Sequence, residues 1–157
     1  MLSAIKISWL YGLYEAKLHN RSLTRLLVTE GYLDVIALAQ FGINYSVATL
    51  GTSTNRKHIE RIFRLCPEVI FCFDGDQAGK KAALKALEAT LPTMLDGRQA
   101  RFLFLPDGED PDTLIRAKGK DYLESLISSA KPLEEFLFET LSKDINMETM
   151  EGRARFS

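Results

Sequence analysis

The feature that most constrains this chain is Val69-Ile70-Phe71-Cys72-Phe73 followed at once by Asp74-Gly75-Asp76. The run is short, β-branched and aromatic, a pattern that predicts a strand buried on both faces of a parallel sheet. The two carboxylates then fall at its C-terminal end, the edge of an open α/β sheet where ligands bind. Gly75 is expected to let the chain turn tightly and Gly79 to let the next helix pack close, so that Asp74 and Asp76 point into one small volume. Like charges so placed repel. A hard cation such as Mg²⁺, which takes oxygen ligands and one or two protein carboxylates, removes that repulsion. An Asp that simply caps the following helix produces the same residues, so the motif by itself leaves both readings open.

The 157 residues suffice for one compact domain with a small helical appendage. A net charge of −1 provides no global pull towards nucleic acid, so any such contact must be local. Cys66 and Cys72 are too few for a disulfide framework and read as reduced residues of a cytosolic protein. His19 and His58 lack a Cys or His partner at zinc spacing. No apolar run approaches the roughly 20 residues of a membrane span, and the N-terminus has no signal-peptide pattern.

A second strand is predicted over 25–29, again ending in an acid and a glycine, Glu30-Gly31. The helix expected from Tyr32 to about Phe41 would turn Leu33, Ile36, Ala37 and Phe41 inward. Its first turn carries Asp34, where an acid favours the helix dipole by about 0.3–1 kcal/mol. Gly42 is the expected stop. A strand at 45–50 leads into Gly51-Thr52-Ser53-Thr54, which suits either an ordinary N-cap or an anion held at a helix start. The helix over 55–65 places Ile59, Ile62 and Phe63 inward and Lys57, Arg61 and Arg64 outward. A long helix over 77–94 has Ala82, Ala83, Ala86, Leu87 and Leu91 inward and Lys81 and Lys85 outward. A strand at 101–105 then ends in Pro106-Asp107-Gly108-Glu109-Asp110-Pro111-Asp112, where two prolines stiffen a loop of four acids. Helices are expected over 113–117, 122–130 and 133–143, with a polar tail beyond 146. The stretch at 9–16 reads as aromatic then helical, with Leu10, Leu13 and Tyr14 on one face packing on the sheet.

Strand–helix alternation across 25–105 predicts a parallel, doubly wound sheet. Three strand ends then supply acids to one edge: Glu30, the Asp74/Asp76 pair and the Asp110/Asp112 pair. Such a cluster is costly without cations, which moves the balance towards divalent-metal binding.

Glu30-Gly31 after one strand and Asp74-Gly75-Asp76 after a later one resemble the acidic pattern of the TOPRIM domain of topoisomerases, primases and some nucleases. Leu10-Tyr11-Gly12-Leu13-Tyr14-Glu15-Ala16, Thr29-Glu30-Gly31-Tyr32-Leu33-Asp34, Leu50-Gly51-Thr52, Asp74-Gly75-Asp76-Gln77-Ala78-Gly79 and Pro106-Asp107-Gly108-Glu109-Asp110-Pro111-Asp112 are similar, in order, to bacterial DnaG-type DNA primases. The resemblance implies a TOPRIM-like α/β fold, a mostly parallel sheet flanked by helices and followed by a small C-terminal helical appendage. It divides the chain into an N-terminal segment 1–22, the TOPRIM domain 23–112 and a helical segment 113–157. It also implies synthesis of short RNA primers on single-stranded DNA from ribonucleoside triphosphates, by Mg²⁺-dependent nucleotidyl transfer with Mn²⁺ as a substitute.

In that family the acids matching Glu30, Asp74 and Asp76 are catalytic. They bind metal together with those matching Asp110 and Asp112, Asp34 supports the acidic site, and Gly51-Thr52 shapes the nucleotide side. The further implied partners are an RNA–DNA hybrid and a replicative helicase, the latter reached through a C-terminal domain absent here. Zinc is expected only in an N-terminal domain that is also absent, and the setting is bacterial cytoplasm at the replication fork, with no membrane. One departure stands out: the family's Phe-x-Lys-Gly stretch is replaced by Ala4-Ile5-Lys6-Ile7-Ser8. The chain is therefore expected to be a catalytic-core fragment that binds Mg²⁺ or Mn²⁺ weakly and primes poorly alone. A TOPRIM nuclease or RNA-maturation enzyme would use the same acids for hydrolysis. A receiver-like signalling domain fits less well, because no lysine follows Leu105 until Lys118, and an aspartyl phosphatase fits less well still, because Gln77 follows Asp76.

Overall fold

The computed structural model describes residues 9–49 and 53–156, with side chains through 150. Its elements in order are β1 (Leu10–Tyr11), α1 (Leu13–His19), β2 (Arg25–Thr29), α2 (Tyr32–Gln40), β3 (Ser46–Thr49), α3 (Arg56–Leu65), β4 (Glu68–Gly75), α4 (Gln77–Thr90), a 3₁₀ turn (Leu91–Thr93), β5 (Gln99–Asp107), α5 (Pro111–Lys118), α6 (Lys120–Ser128), β6 (Lys131–Pro132) and α7 (Leu133–Phe156). The sheet order is β1-β3-β2-β4-β5-β6. The four central strands are parallel, and the two-residue strands β1 and β6 pair antiparallel on the outer edges.

The continuous apolar run of β4 is explained by what lies on each face. Val69, Phe71 and Phe73 join Leu13 and Ala16 of α1, Ile59, Ile62 and Phe63 of α3, and Ala83, Ala86 and Leu87 of α4 in one core layer. Ile70 and Cys72 point the other way, into a layer with Ala37 and Leu38 of α2, Leu114 and Ile115 of α5, and Leu123 and Ile127 of α6. A strand with helices on both faces has no polar side to show. The rings of Phe71, Phe102 and Phe136 continue the first layer outward, with Phe102 and Phe136 centroids 4.8 Å apart, so α7 is anchored to the sheet at its start.

From β2 the chain crosses to β3 on one side, then returns to place β4 on the other side of β2. The C-terminal ends of β2 and β4 therefore flank the topological switch point, where the diverging connections leave a crevice.

Several expectations are corrected. Residues 10 and 11 form an edge strand rather than the start of a helix, and Tyr14 is 70% exposed although Leu10 and Leu13 are buried. Helix α2 buries Asp34, Val35, Ala37 and Leu38, while Leu33 is 59% exposed and Ile36 and Phe41 are also open. This helix is apolar almost all round, so its inward face is chosen by packing on β3 and α5 rather than by periodicity. Helix α4 ends at Thr90, which leaves Leu91 exposed in the 3₁₀ turn. Strand β5 runs on to Asp107, α5 starts at Pro111, and α7 continues to Phe156 instead of stopping at 143. Gly42 does stop α2, in the left-handed region at φ 94°.

Candidate functional site

The site grows from the end of β4. Gly75 does not turn the chain: it stays in the strand opposite Asp107, and its φ is not positive. What requires glycine is proximity, since a Cβ there would sit 2.3 Å from the Pro106 carbonyl oxygen of β5. Gly79 has the role expected of it, because a Cβ there would lie 2.1 Å from the Asp74 carbonyl oxygen. The two glycines thus clamp the ends of β4 and β5 and the first turn of α4 together, and Asp74 and Asp76 are held in that clamp.

Asp76 is the N-cap of α4, its Oδ1 accepting the Gly79 N–H at 2.7 Å. The capping reading and the site reading both apply to it, one oxygen being committed to the helix. Asp74 is different. Its Oδ1 is buried and, among the described residues, has no hydrogen-bond partner. Loss of solvent, followed by the charges of Glu30, Asp34, Asp110 and Asp76, pushes its carboxyl up to about 7.

Glu30 comes from the end of β2, and its Oε1 accepts the Asp74 N–H at 3.3 Å across the switch point. Burial, and then the charge of Asp76, raise its carboxyl above the ordinary range against the opposing effect of that hydrogen bond. The third acidic loop is tied in by backbone: Gly75 N–H donates to the Glu109 carbonyl at 3.4 Å. Asp110 caps α5 by accepting the Thr113 N–H at 2.7 Å, and the Thr113 hydroxyl donates to Glu109 Oε2 at 2.8 Å. The Asp112 carboxylate forms an ion pair with Arg116 one turn on.

Asp34 is the surprise of the rim. It is buried, and its Oδ1 accepts the Asp112 N–H at 3.2 Å, joining residues 78 positions apart. Burial is the largest cause of a carboxyl raised to about 6, with the neighbouring charges of Asp110 and Asp112 adding to it. Reading Asp34 as a dipole residue in a first turn missed this link, and no local pattern encodes it.

The structure therefore brings Glu30, Asp34, Asp74, Asp76, Asp110 and Asp112 to one rim, as three mutually repelling groups from distant parts of the chain. Among the described residues, however, no three His, Cys, Asp or Glu side chains are already gathered into a ligand set. The contacts are pairwise, with Asp76 and Asp110 capping helices and Asp112 paired to Arg116. Gly51 and Thr52 lie outside the described residues. A cavity of about 210 Å³ is lined by Thr29, Glu30, Thr49, Ser53, Thr54 and Cys72, among others. A larger groove of about 520 Å³ leads from Asp74 and Asp76 between α4 and α7, where Lys80, Lys81 and Lys143 line it above Phe104 and Phe136. Lys80 and Lys143 were not singled out from the sequence, and Lys81 was read only as an outward residue. Cys66 and Cys72 are both free thiols, buried, and their burial raises both, Cys66 to about 11.

The Toprim-like family matches residues 27–115, from within β2 to within α5 and across every acid described above. The chain belongs to the Toprim-like family. This Toprim-like chain is 58% identical over 148 residues to the DNA primase of Escherichia coli strain K12, covering 94% of itself and 26% of that protein. It superimposes on the E. coli primase catalytic core with a TM-score of 0.87 at 57% identity, over 96% of this chain and 48% of that one. The same figures describe its match to a DnaG primase catalytic domain bound to single-stranded DNA. The chain thus spans about a quarter of the length of the curated relatives it matches.

Proposed function

We propose that this chain is the catalytic core of a DNA primase, which makes short RNA primers on single-stranded DNA by metal-dependent nucleotidyl transfer. The observation that carries the reading is the buried Asp74 Oδ1, without a hydrogen-bond partner among the described residues, at the switch point beside Glu30 and Asp76. Likeness to primase catalytic cores, one of them bound to single-stranded DNA, supports it. Those relatives do not favour the hydrolytic alternative.

The donors fit Mg²⁺, with Mn²⁺ as substitute, because they are all hard carboxylate oxygens and one of them has no hydrogen-bond partner among the described residues. Bound there, the ion would supply charge neutralisation at the phosphates and activation of the primer 3′-hydroxyl. Glu30 and Asp74 would hold it, with the free oxygen of Asp76. Asp110 and Asp112 stand next in line, and Asp112 would first have to loosen its pairing with Arg116. The two clamping glycines hold the end of β4, with Asp74 and Asp76, against β5 and the first turn of α4, and the Glu30–Asp74 hydrogen bond joins the end of β2 to them. Gly51 and Thr52 are assigned to the nucleotide side. Ribonucleoside triphosphates and the RNA–DNA hybrid are the expected occupants of the cleft. The region 23–112 is read as the TOPRIM unit, flanked by 1–22 and 113–157. A helicase contact and a zinc site are assigned to other domains, and the setting to the bacterial cytoplasm at the replication fork. Among the described residues no helix is long and apolar enough to cross a membrane.

Two measurements test the proposal. Crystals soaked in Mn²⁺ should show anomalous density between Glu30 and Asp74, and density only elsewhere would remove the basis for the mechanism. In a gel assay, the acids should be required for primer extension by the protein containing this chain, with the isolated chain extending poorly. Acid-dependent cleavage without extension would refute the primase reading.

A further inference from the structure

The reaction proposed above needs two acidic groups to be held in register, those on β2 and β4 and those at the start of α5. Gly75 and Gly79 clamp the β4 acids, and the Asp74 N–H to Glu30 Oε1 hydrogen bond ties in β2, but the α5 group sits on a separate helix that follows a surface loop. Its Asp110 and Thr113 contacts are local to the loop and helix and set only their own shape. A longer-range tie is the Asp112 N–H donated to Asp34 Oδ1, which reaches from the first turn of α5 to the first turn of α2. Asp34 is 9% exposed, lies one turn beyond Glu30, and belongs to a helix packed against α5. The Asp112 N–H is among the first N–H groups of α5, which have no acceptor within the helix, so Asp34 satisfies a donor that would otherwise be orphaned.

We infer that Asp34 is a positioning residue: its buried carboxylate oxygen latches the N-terminus of α5 to α2 and so sets Asp110 and Asp112 against Glu30 and Asp74. It acts as a hydrogen-bond acceptor and neither as a cation ligand nor as a charge. The inference rests on the functional reading above for its purpose but not for its geometry. The Asp34→Asn substitution retains an Oδ1 acceptor and removes the charge, whereas Asp34→Ala removes both, so the two substitutions separate the roles.

The test uses the chain as it stands, with Mn²⁺ as the probe. Amide hydrogen exchange at Asp112 and the Mn²⁺ midpoint, read by proton relaxation, are measured for wild type, Asp34→Asn and Asp34→Ala. Removing the acceptor leaves the Asp112 N–H without its partner, and an unsatisfied donor of this kind costs about tenfold or more. Asp34→Ala should therefore speed exchange at Asp112 by about tenfold and weaken Mn²⁺ binding by a similar factor. Asp34→Asn should stay within about threefold of wild type on both readouts. Two outcomes overturn the latch: Asp34→Asn losing Mn²⁺ as fully as Asp34→Ala, which marks a ligand or charge role, or unchanged Asp112 exchange in Asp34→Ala. Should Asp34→Ala fail to fold, Asp34→Asn against wild type still decides between acceptor and charge. Absence of Mn²⁺ binding by the wild type would instead count against the functional reading, while the exchange data would still judge the latch.

Discussion

Replacing Asp74 with Asn should stabilise the ion-free protein above neutral pH and, in the same protein, abolish its response to divalent cations. In the folded chain the Asp74 carboxyl is raised from 3.8 to about 7, because it is buried among other acids and its Oδ1 has no hydrogen-bond partner among the described residues. A raised value means that the neutral form is favoured by folding. The associated stability is complete below the unfolded value of 3.8 and is lost as pH rises through about 7. At 1.36 kcal/mol per pH unit the interval is worth about 4 kcal/mol as an upper bound. Solvent reaches part of this rim, and screening reduces the figure to about 1–2 kcal/mol. For a protein of this size that corresponds to a rise in melting temperature of about 2–8 °C at pH 8. Thermal unfolding followed by circular dichroism in EDTA should show the Asp74→Asn variant melting higher than wild type at pH 8 and the two converging near pH 4. Added Mg²⁺ should then raise the wild-type melting temperature and leave the variant's unchanged. A variant no more stable than wild type at pH 8, or one that still gains stability with Mg²⁺, would refute the idea that an uncompensated Asp74 charge is what the cation relieves.

Asp76→Asn should keep wild-type stability, since Asn caps a helix as well as Asp, yet lose most cation binding; calorimetric titration with Mn²⁺ alongside urea unfolding checks both halves. Gly79→Ala forces a methyl to 2.1 Å from the Asp74 carbonyl oxygen and should cost about 1–3 kcal/mol, read as a shift in the urea midpoint without a change in slope. His58 is buried in a capping box with Asn55, and burial lowers its proton affinity in the folded state. Its contribution is therefore present above the unfolded value of 6.5 and lost as pH falls below it. His58→Gln should lessen the loss of stability between pH 7.5 and 5 relative to wild type, in paired denaturation curves.

The central strands were legible because burial on both faces leaves a local signature, an unbroken apolar run, and β2 and β4 both carry it. The acids at their ends were legible for the same reason, since a strand that stops at Glu30 or Asp74 states where its C-terminal edge lies. The two-residue edge strands were not, because each is held by pairing to a distant partner and has no pattern of its own. The inward face of α2 was misjudged because its apolar residues surround the helix and leave the choice to its neighbours. The Asp34–Asp112 tie was equally hidden, whereas the capping role of Asp76 was one of the two readings its motif offered.

By itself, then, the amino-acid order determined the central strands, the helices between them and which carboxylates would stand at strand ends, since period and end chemistry are short-range properties. Only the tertiary structure decided that β4 returns to the far side of β2, so that Glu30 meets Asp74 and the third acidic loop is pinned by Asp34. Those outcomes depend on contacts between residues 44 and 78 positions apart, formed only when two faces of one sheet are packed at once, and no local window of sequence contains both partners.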